Sequence, residues 1–208
     1  YIPAPNTIYK SVYKLPGGCN LVFDISDKKI PISRYWEFNL EPFESVPAGG
    51  EEAWCEQLRV LICKAVRRRL VSDVPLGVFL SGGIDSTSVA SFASRYTAGE
   101  SLKTFSIGFE EPSFDESKYA EFAAGQIKSR HYHSTLSLET AKSLLGSIID
   151  RLDEPMGDSS LLPTFLLCQE TRKHVTVALG GGGADELIAG YDPFRALRKA
   201  EAYSKLIP

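Results

Sequence analysis

Val74-Pro75-Leu76-Gly77-Val78-Phe79-Leu80 runs without a charge into Ser81-Gly82-Gly83-Ile84-Asp85-Ser86-Thr87. A short apolar run that ends in glycine reads as a buried strand breaking into a turn, and the residues after it read as a helix to about Tyr96. Gly82 and Gly83 let the backbone turn sharply and approach a ligand closely. Ser86, Thr87 and Ser88 open the helix, whose free amides and dipole favour an anion. Asp85 sets a carboxylate where it can hold Mg²⁺ on phosphates. No GxxxxGK[ST] is present and no Lys stands in the loop, so this is not a Walker A motif. A structural strand-to-helix turn is the plain alternative, and the attached Ile84-Asp85-Ser86-Thr87 favours a phosphate site.

Outward from this loop, strands and helices alternate. Residues 103–109 read as a strand, 115–128 as a helix and 130–135 as a strand. Helices follow at 138–151 and 162–173, then an apolar strand at 175–179 ending in Gly180-Gly181-Gly182-Gly183, then a helix at 194–205. Upstream, Trp54, Leu58, Leu61, Ile62 and Ala65 form a helical stripe, opened by Glu51 and Glu52 and closed by Arg67, Arg68 and Arg69 in accord with the helix dipole. Such alternation predicts an α/β fold, a parallel sheet with helices on both faces. Right-handed crossovers put both glycine loops at one sheet edge, where ligands bind in open α/β folds.

Composition narrows the function. With 23 basic against 26 acidic residues and a net charge of −3, the 208-residue chain lacks the basic excess of a non-specific nucleic-acid binder. No apolar run approaches the ~20 residues of a membrane span. Cys19, Cys55, Cys63 and Cys168 are too sparse for a disulfide scaffold and lack zinc spacing, so reduced, buried thiols in a cytoplasmic protein are expected. His131 and His133 share one side of a strand with no third ligand near, which favours a structural role. Six of the 12 prolines fall in the first 50 residues, with short strand-like runs at 20–25 and 34–38. The expected division is a β-rich tail at 1–40, a linker at 41–50 and the α/β domain at 51–208. The chain opens at Tyr1 without Met or a signal pattern and reads as an excised fragment.

VPLGVFLSGGIDST resembles the pyrophosphate-loop motif of the ATP pyrophosphatases, and its flank resembles the asparagine synthetase (glutamine-hydrolysing) branch. Phe105-Ser106-Ile107-Gly108-Phe109 with Phe114-Asp115-Glu116 resembles that branch's nucleotide-lining strand. Ala178-Leu179-Gly180-Gly181-Gly182-Gly183-Ala184-Asp185-Glu186-Leu187 with Gly190-Tyr191 resembles its second signature loop. Tyr1-Ile2-Pro3-Ala4-Pro5 and Lys14-Leu15-Pro16-Gly17-Gly18 resemble the end of its glutaminase domain. The resemblance implies an adenine nucleotide alpha hydrolase-like fold, incomplete at its C-terminus, behind the tail of a class II glutaminase domain whose cysteine nucleophile lies upstream.

The implied chemistry is adenylation of the aspartate side chain by ATP, release of pyrophosphate, and attack by glutamine-derived ammonia to give asparagine. ATP would meet Leu80, Ser81, Gly82, Gly83, Asp85, Ser86, Thr87, Ile107, Gly180 and Gly181, with Mg²⁺ on Asp85 and Asp185. Plain core packing is the alternative for Leu80 and Ile107. Glu154, Asp158 and Ser159 resemble the stretch near the amino-acid substrate. Asp158-Ser159-Ser160 reads equally as the N-cap of the next helix, and Glu154 before proline as a turn residue. Gly182 occupies the position of an acid in the family pattern, which removes a candidate general base. Besides aspartate, ammonia, glutamine and the upstream domain as partners, a homodimer stays open. The competing functions are a relative that amidates another carboxylate, and a nucleotide-binding module weakened at Gly182.

Overall fold

The structure, a computed structural model, describes residues 1–39, 48–97, 101–188 and, beyond these, residues 190, 191, 193, 194, 196, 197 and 200. Four parallel strands form the main sheet: β3 (Leu76–Phe79), β4 (Lys103–Phe109), β5 (Arg130–Leu136) and β6 (Val177–Leu179), in spatial order β5-β4-β3-β6. The two central strands, β3 and β4, carry the buried positions, as parallel strands covered on both faces require. The register pairs Val78 with Thr104, Thr104 with His131 and Gly77 with Ala178.

Helices α2 (Ile84–Ser94) and α3 (Ser117–Gln126) cross from β3 to β4 and from β4 to β5, while α4 (Leu138–Ile149) and α5 (Leu161–Arg172) cross from β5 back to β6. The first two crossovers step one way along the sheet and the last steps the other way. Right-handed connections therefore lay α2 and α3 on one face and the α4–α5 pair on the other. The expected α/β sheet with helices on both faces is what forms. Helix α1 (Gly50–Arg69) packs on α2. Val78 and Leu80 pack with Val66, Ala90, Ala93, Leu102, Ala123 and Ala124 in a core beneath α1, α2 and α3. On the opposite face Phe105, 2% exposed, stacks on Tyr132 at 5.2 Å and His174 at 5.9 Å.

The amino-terminal β-structure is one antiparallel pair, β1 (Cys19–Leu21) with β2 (Ile32–Arg34). The sequence predicts its second strand at 34–38. Tyr35 and Trp36 instead both donate their N–H to the Gly18 carbonyl, at 2.8 and 3.2 Å, so the chain turns away from the ladder. Most of the expected linker, 41–47, lies outside the described residues, and Gly50 already belongs to α1. The helix expected at 194–205 also lies mostly outside them.

Two expectations of burial fail. Trp54, Leu58 and Leu61 of the α1 stripe are 39–63% exposed, and only Ile62 and Val66 reach the core. Leu58 instead borders a groove of about 950 Å³ between α1, α2 and the short helix α6 (Ala184–Ile188). The cysteines are free but none is buried: Cys55 and Cys168 are exposed and Cys19 and Cys63 half-buried. Cys55 and Cys63 line the same groove, which nothing in the described chain fills. No helix among the described residues is long and apolar enough to cross a membrane.

Candidate functional site

Ser81-Gly82-Gly83 leaves β3 and enters α2, and its shape is fixed by its own hydroxyls. Ser86 Oγ accepts from the Ser81 N–H at 3.2 Å, lies 2.9 Å from Ser81 Oγ and donates to the Gly83 carbonyl at 3.3 Å. Ser86 is 8% exposed, so it serves as the internal brace of the loop rather than as its surface. Gly82 has φ +87°, and a Cβ there would stand 2.5 Å from Tyr119 Cβ and its carbonyl carbon. The loop therefore rests directly on the first turn of α3, and only glycine fits both the conformation and the space.

That first turn is itself anchored. Asp115 accepts from the Phe109 N–H at 3.2 Å, the Ser117 N–H at 3.3 Å and the Ser117 hydroxyl at 2.7 Å, tying the end of β4 to the start of α3. The Ser117 bond, followed by the other donors and the nearby His133, holds the Asp115 carboxyl below its usual range. The resemblance of Phe114-Asp115-Glu116 to the family strand gives Asp115 no task of its own. An aspartate two residues before a helix-opening serine is the signal by which this anchor can be found.

The second glycine loop comes to meet the first. A Cβ on Gly181 would stand 2.9 Å from Ser86 N and 3.1 Å from Asp85 Cβ, so the backbone at 181 touches the start of α2. Gly180 lies near Phe79, while a Cβ on Gly182 would meet nothing within 4 Å. The expected convergence of Ser81–Thr87 with Gly180–Gly181 at the C-terminal sheet edge is thus present. Asp85 and Asp185 are both half-buried, at the starts of α2 and α6. Among the described residues no group of three or more His, Cys, Asp or Glu clusters as a metal-ligand set.

Thr87 bears on whether an anion fits. Its Oγ1 is buried at the start of α2 without a hydrogen-bond partner. A buried hydroxyl left unpaired costs about 1–3 kcal/mol, and a phosphate oxygen at this helix start would satisfy it. Glycine-lined backbone, open α2 amides and this hydroxyl suit a phosphate-bearing ligand.

The other expected residues divide. Leu80 is 1% exposed with its side chain in the core cluster, while its N–H donates to the Phe105 carbonyl at 2.8 Å. Ile107 is half-buried on β4. Since α5 ends where β6 begins, at the sheet's opposite edge, its start lies at the glycine-loop edge and brings 158–160 there. Asp158 Oδ1 accepts from the Ser160 N–H at 2.8 Å, and the bonds from Ser160 hold its carboxyl low. The Ser160 side chain makes no capping bond, and Ser159 is exposed. Tyr191 Oη donates to Glu186 Oε1 at 2.8 Å. That bond, then burial and the charges of Glu186, Asp185 and Asp158, raise the phenol's pKa. Glu154 is instead bound to Lys14, at 2.5 Å.

Away from the site, His131 and His133 share the α3 face of β5. His131 reaches Thr104 Oγ1 at 2.9 Å and Ser106 Oγ at 3.0 Å, and Ser106 Oγ lies 2.9 Å from His133 Nδ1.

Similar proteins place the chain in a family. The family model described as "Asparagine synthase" matches residues 57–208. A relative from Methanocaldococcus jannaschii, whose name assigns it provisionally to the glutamine-hydrolysing asparagine synthetases, is 37% identical over 191 residues, 92% of this chain and 36% of that protein. "Asparagine synthetase [glutamine-hydrolyzing] 1" of Bacillus subtilis (strain 168) is 35% identical over 195 residues, 94% of this chain and 30% of that protein. The chain spans about a third of the length of these relatives. On the family match and on identity across nearly its whole length, this chain belongs to the asparagine synthase family.

Proposed function

We infer that the chain is the ATP-using part of a glutamine-dependent amide ligase that adenylates the side-chain carboxylate of aspartate. The observation that carries this reading is the meeting of the two glycine loops at the start of α2, with Gly181 against Asp85 and Ser86 and the Thr87 hydroxyl unpaired. A carboxylate is a poor electrophile. Transfer of AMP to one of its oxygens makes that oxygen a leaving group and expels pyrophosphate. Ammonia then attacks the acyl carbon, the amide forms and AMP departs. The chain's part is to hold the β- and γ-phosphates on the open amides at the turn into α2, where negative charge grows as pyrophosphate leaves. Asp85 and Asp185 are the carboxylates that would hold Mg²⁺, which offsets that charge. Residues 1–40 fit the tail of a glutaminase domain, the source of ammonia.

Aspartate-driven ATP/pyrophosphate exchange by the full-length protein tests this. Exchange that requires aspartate supports the reading. Exchange driven by a different carboxylic acid assigns a different acceptor, and ATP binding without exchange under any acceptor overturns the ligase assignment.

A second reading has its own observation. Gly182 stands in open space and brings no carboxylate, and Glu186 is engaged by Tyr191. A nucleotide-binding module with weakened amide chemistry would show Mg-ATP binding without amide synthesis.

A further inference from the structure

Glu154 lies in the connection between α4 and α5, and its carboxylate is not free. Lys14 Nζ donates to Glu154 Oε2 at 2.5 Å and to the Ile2 carbonyl at 2.8 Å. The Lys14 N–H donates to the Pro5 carbonyl at 2.8 Å. The amino-terminal segment is therefore wrapped around Lys14 and fastened to a residue 140 positions further along. The two side chains are 35% and 19% exposed, the most shielded ion pair among the described residues. Pairs as exposed as the others contribute little, whereas a partly buried pair is screened less. The Lys14 bond, with a main-chain bond from Ile2, holds the Glu154 carboxyl below its usual range.

The anchor point matters because it sits close in sequence to the site edge. Three residues, Pro155-Met156-Gly157, separate Glu154 from Asp158. Asp158 braces the entry to α5 at the site edge. Only those three residues carry a shift at Glu154 to Asp158.

We propose that the Lys14–Glu154 pair is a latch by which the amino-terminal segment sets the 152–160 stretch at the glycine-loop edge of the sheet. Glu154 is then a positioning residue, acting through Lys14, and not a substrate contact. The proposal rests on the function inferred above for its kinetic arm, while its structural arm stands alone. It also joins the segment read as the glutaminase tail to the entry of α5 at the glycine-loop edge.

The test uses the full-length protein with ammonia as nitrogen donor and the variants Lys14→Met, Lys14→Arg, Glu154→Gln, Lys14→Met/Glu154→Gln and the charge swap Lys14→Glu/Glu154→Lys. Hydrogen exchange over 1–16 and 150–160 is read alongside KM for aspartate, KM for ATP and kcat. Lys14→Met and Glu154→Gln should each raise KM for aspartate by about tenfold, with kcat and KM for ATP little changed, since directly coupled pairs carry that scale of interaction. The double variant should be no worse than either single one. Both segments should lose protection together, Lys14→Arg should retain it, and the swap should restore protection and most of the aspartate affinity. A defect in Glu154→Gln with Lys14→Met normal would make Glu154 a substrate contact and overturn the latch. So would a swap that regains protection but not affinity, or unchanged protection in Lys14→Met. If wild type forms no amide, the function reading fails, and the exchange pattern alone decides the latch.

Discussion

The backbone of Gly181 is packed against the amide of Ser86: a Cβ at 181 would stand 2.9 Å from that nitrogen and 3.1 Å from the Asp85 carbonyl carbon. Neither neighbour is a flexible side-chain end, so a methyl group there must push the loops apart. Overpacking of this kind costs about 1–3 kcal/mol. Gly181→Ala should weaken Mg-ATP binding by about tenfold or more, measured by calorimetry, while circular dichroism stays that of the wild type. Gly125→Ala, on α3 with nothing within 4 Å of the added group, serves as the control and should bind normally. Equal affinity in the two variants would mean that the close approach of the loops plays no part in the site.

Thr87 makes an opposite pair of effects testable in one variant. Thr87→Val keeps the shape and removes a buried hydroxyl that has no partner. The ligand-free fold should gain about 1 kcal/mol, seen as a higher urea midpoint. Mg-ATP should bind about tenfold or more weakly, because a hydrogen bond to a charged group is lost. A variant that is less stable would show that the hydroxyl already has a partner in the free protein.

Asp85 is the carboxylate at the start of α2, on the rim of the phosphate loop. Asp85→Ala should abolish Mg-dependent pyrophosphate exchange and leave thermal unfolding within about 1 kcal/mol of wild type, since the side chain is half-buried and outside the core. Near-normal pyrophosphate release by this variant would remove Asp85 from the metal site.

Gly182 offers a gain of function. An acid there meets no atom within 4 Å of its Cβ. Gly182→Asp or Gly182→Glu should raise the rate of amide formation by up to ~10²-fold, the lower range for a positioned general base, with little change in ATP affinity. A wild-type rate that the acid does not improve assigns proton removal to another group.

His131 should govern stability in mildly acid solution. Burial, and next the charge of His133, lower its pKa from the usual 6.5, while Glu121 acts in the other direction. The unfolded chain therefore takes up its proton first. Stability is unaffected by this group at higher pH and falls as the pH drops below about 6.5. The depressed carboxylates Asp115, Asp158 and Glu154 lose their contribution only in more acid solution, since their usual values are 3.8, 3.8 and 4.5. His131→Gln should flatten the fall in urea midpoint between pH 7 and 5. An unchanged slope would place the titrating group elsewhere.

Much of the fold was legible because local chemistry encodes it. The apolar runs at Leu76–Phe79 and Lys103–Phe109 are too short for helices, and glycine or polar residues end them. Their alternation with helical segments admits few topologies once crossovers must be right-handed. The turn at 81–87 was equally local: Gly82 needs its positive φ, and Ser86 lies within reach of Ser81 wherever this turn forms. The strand run expected at 34–38 misled because the Gly18 carbonyl, a distant acceptor, captured two amides that a ladder would have used.

The sequence by itself determined the order of the strands and helices of the main sheet and the glycine loops that leave one edge of it. These depend on spacing, backbone freedom and the sign of the charges at helix ends, all of which act within a few residues. Tertiary structure alone decided that Gly181 presses on Ser86, that Glu154 answers to Lys14 and that Leu80 turns inward while Leu58 lines an open groove. Such relations depend on which surfaces meet across long stretches of chain. An ion pair between positions 140 residues apart leaves no periodicity or spacing to read, and a stripe of apolar residues records that something will cover it without recording what.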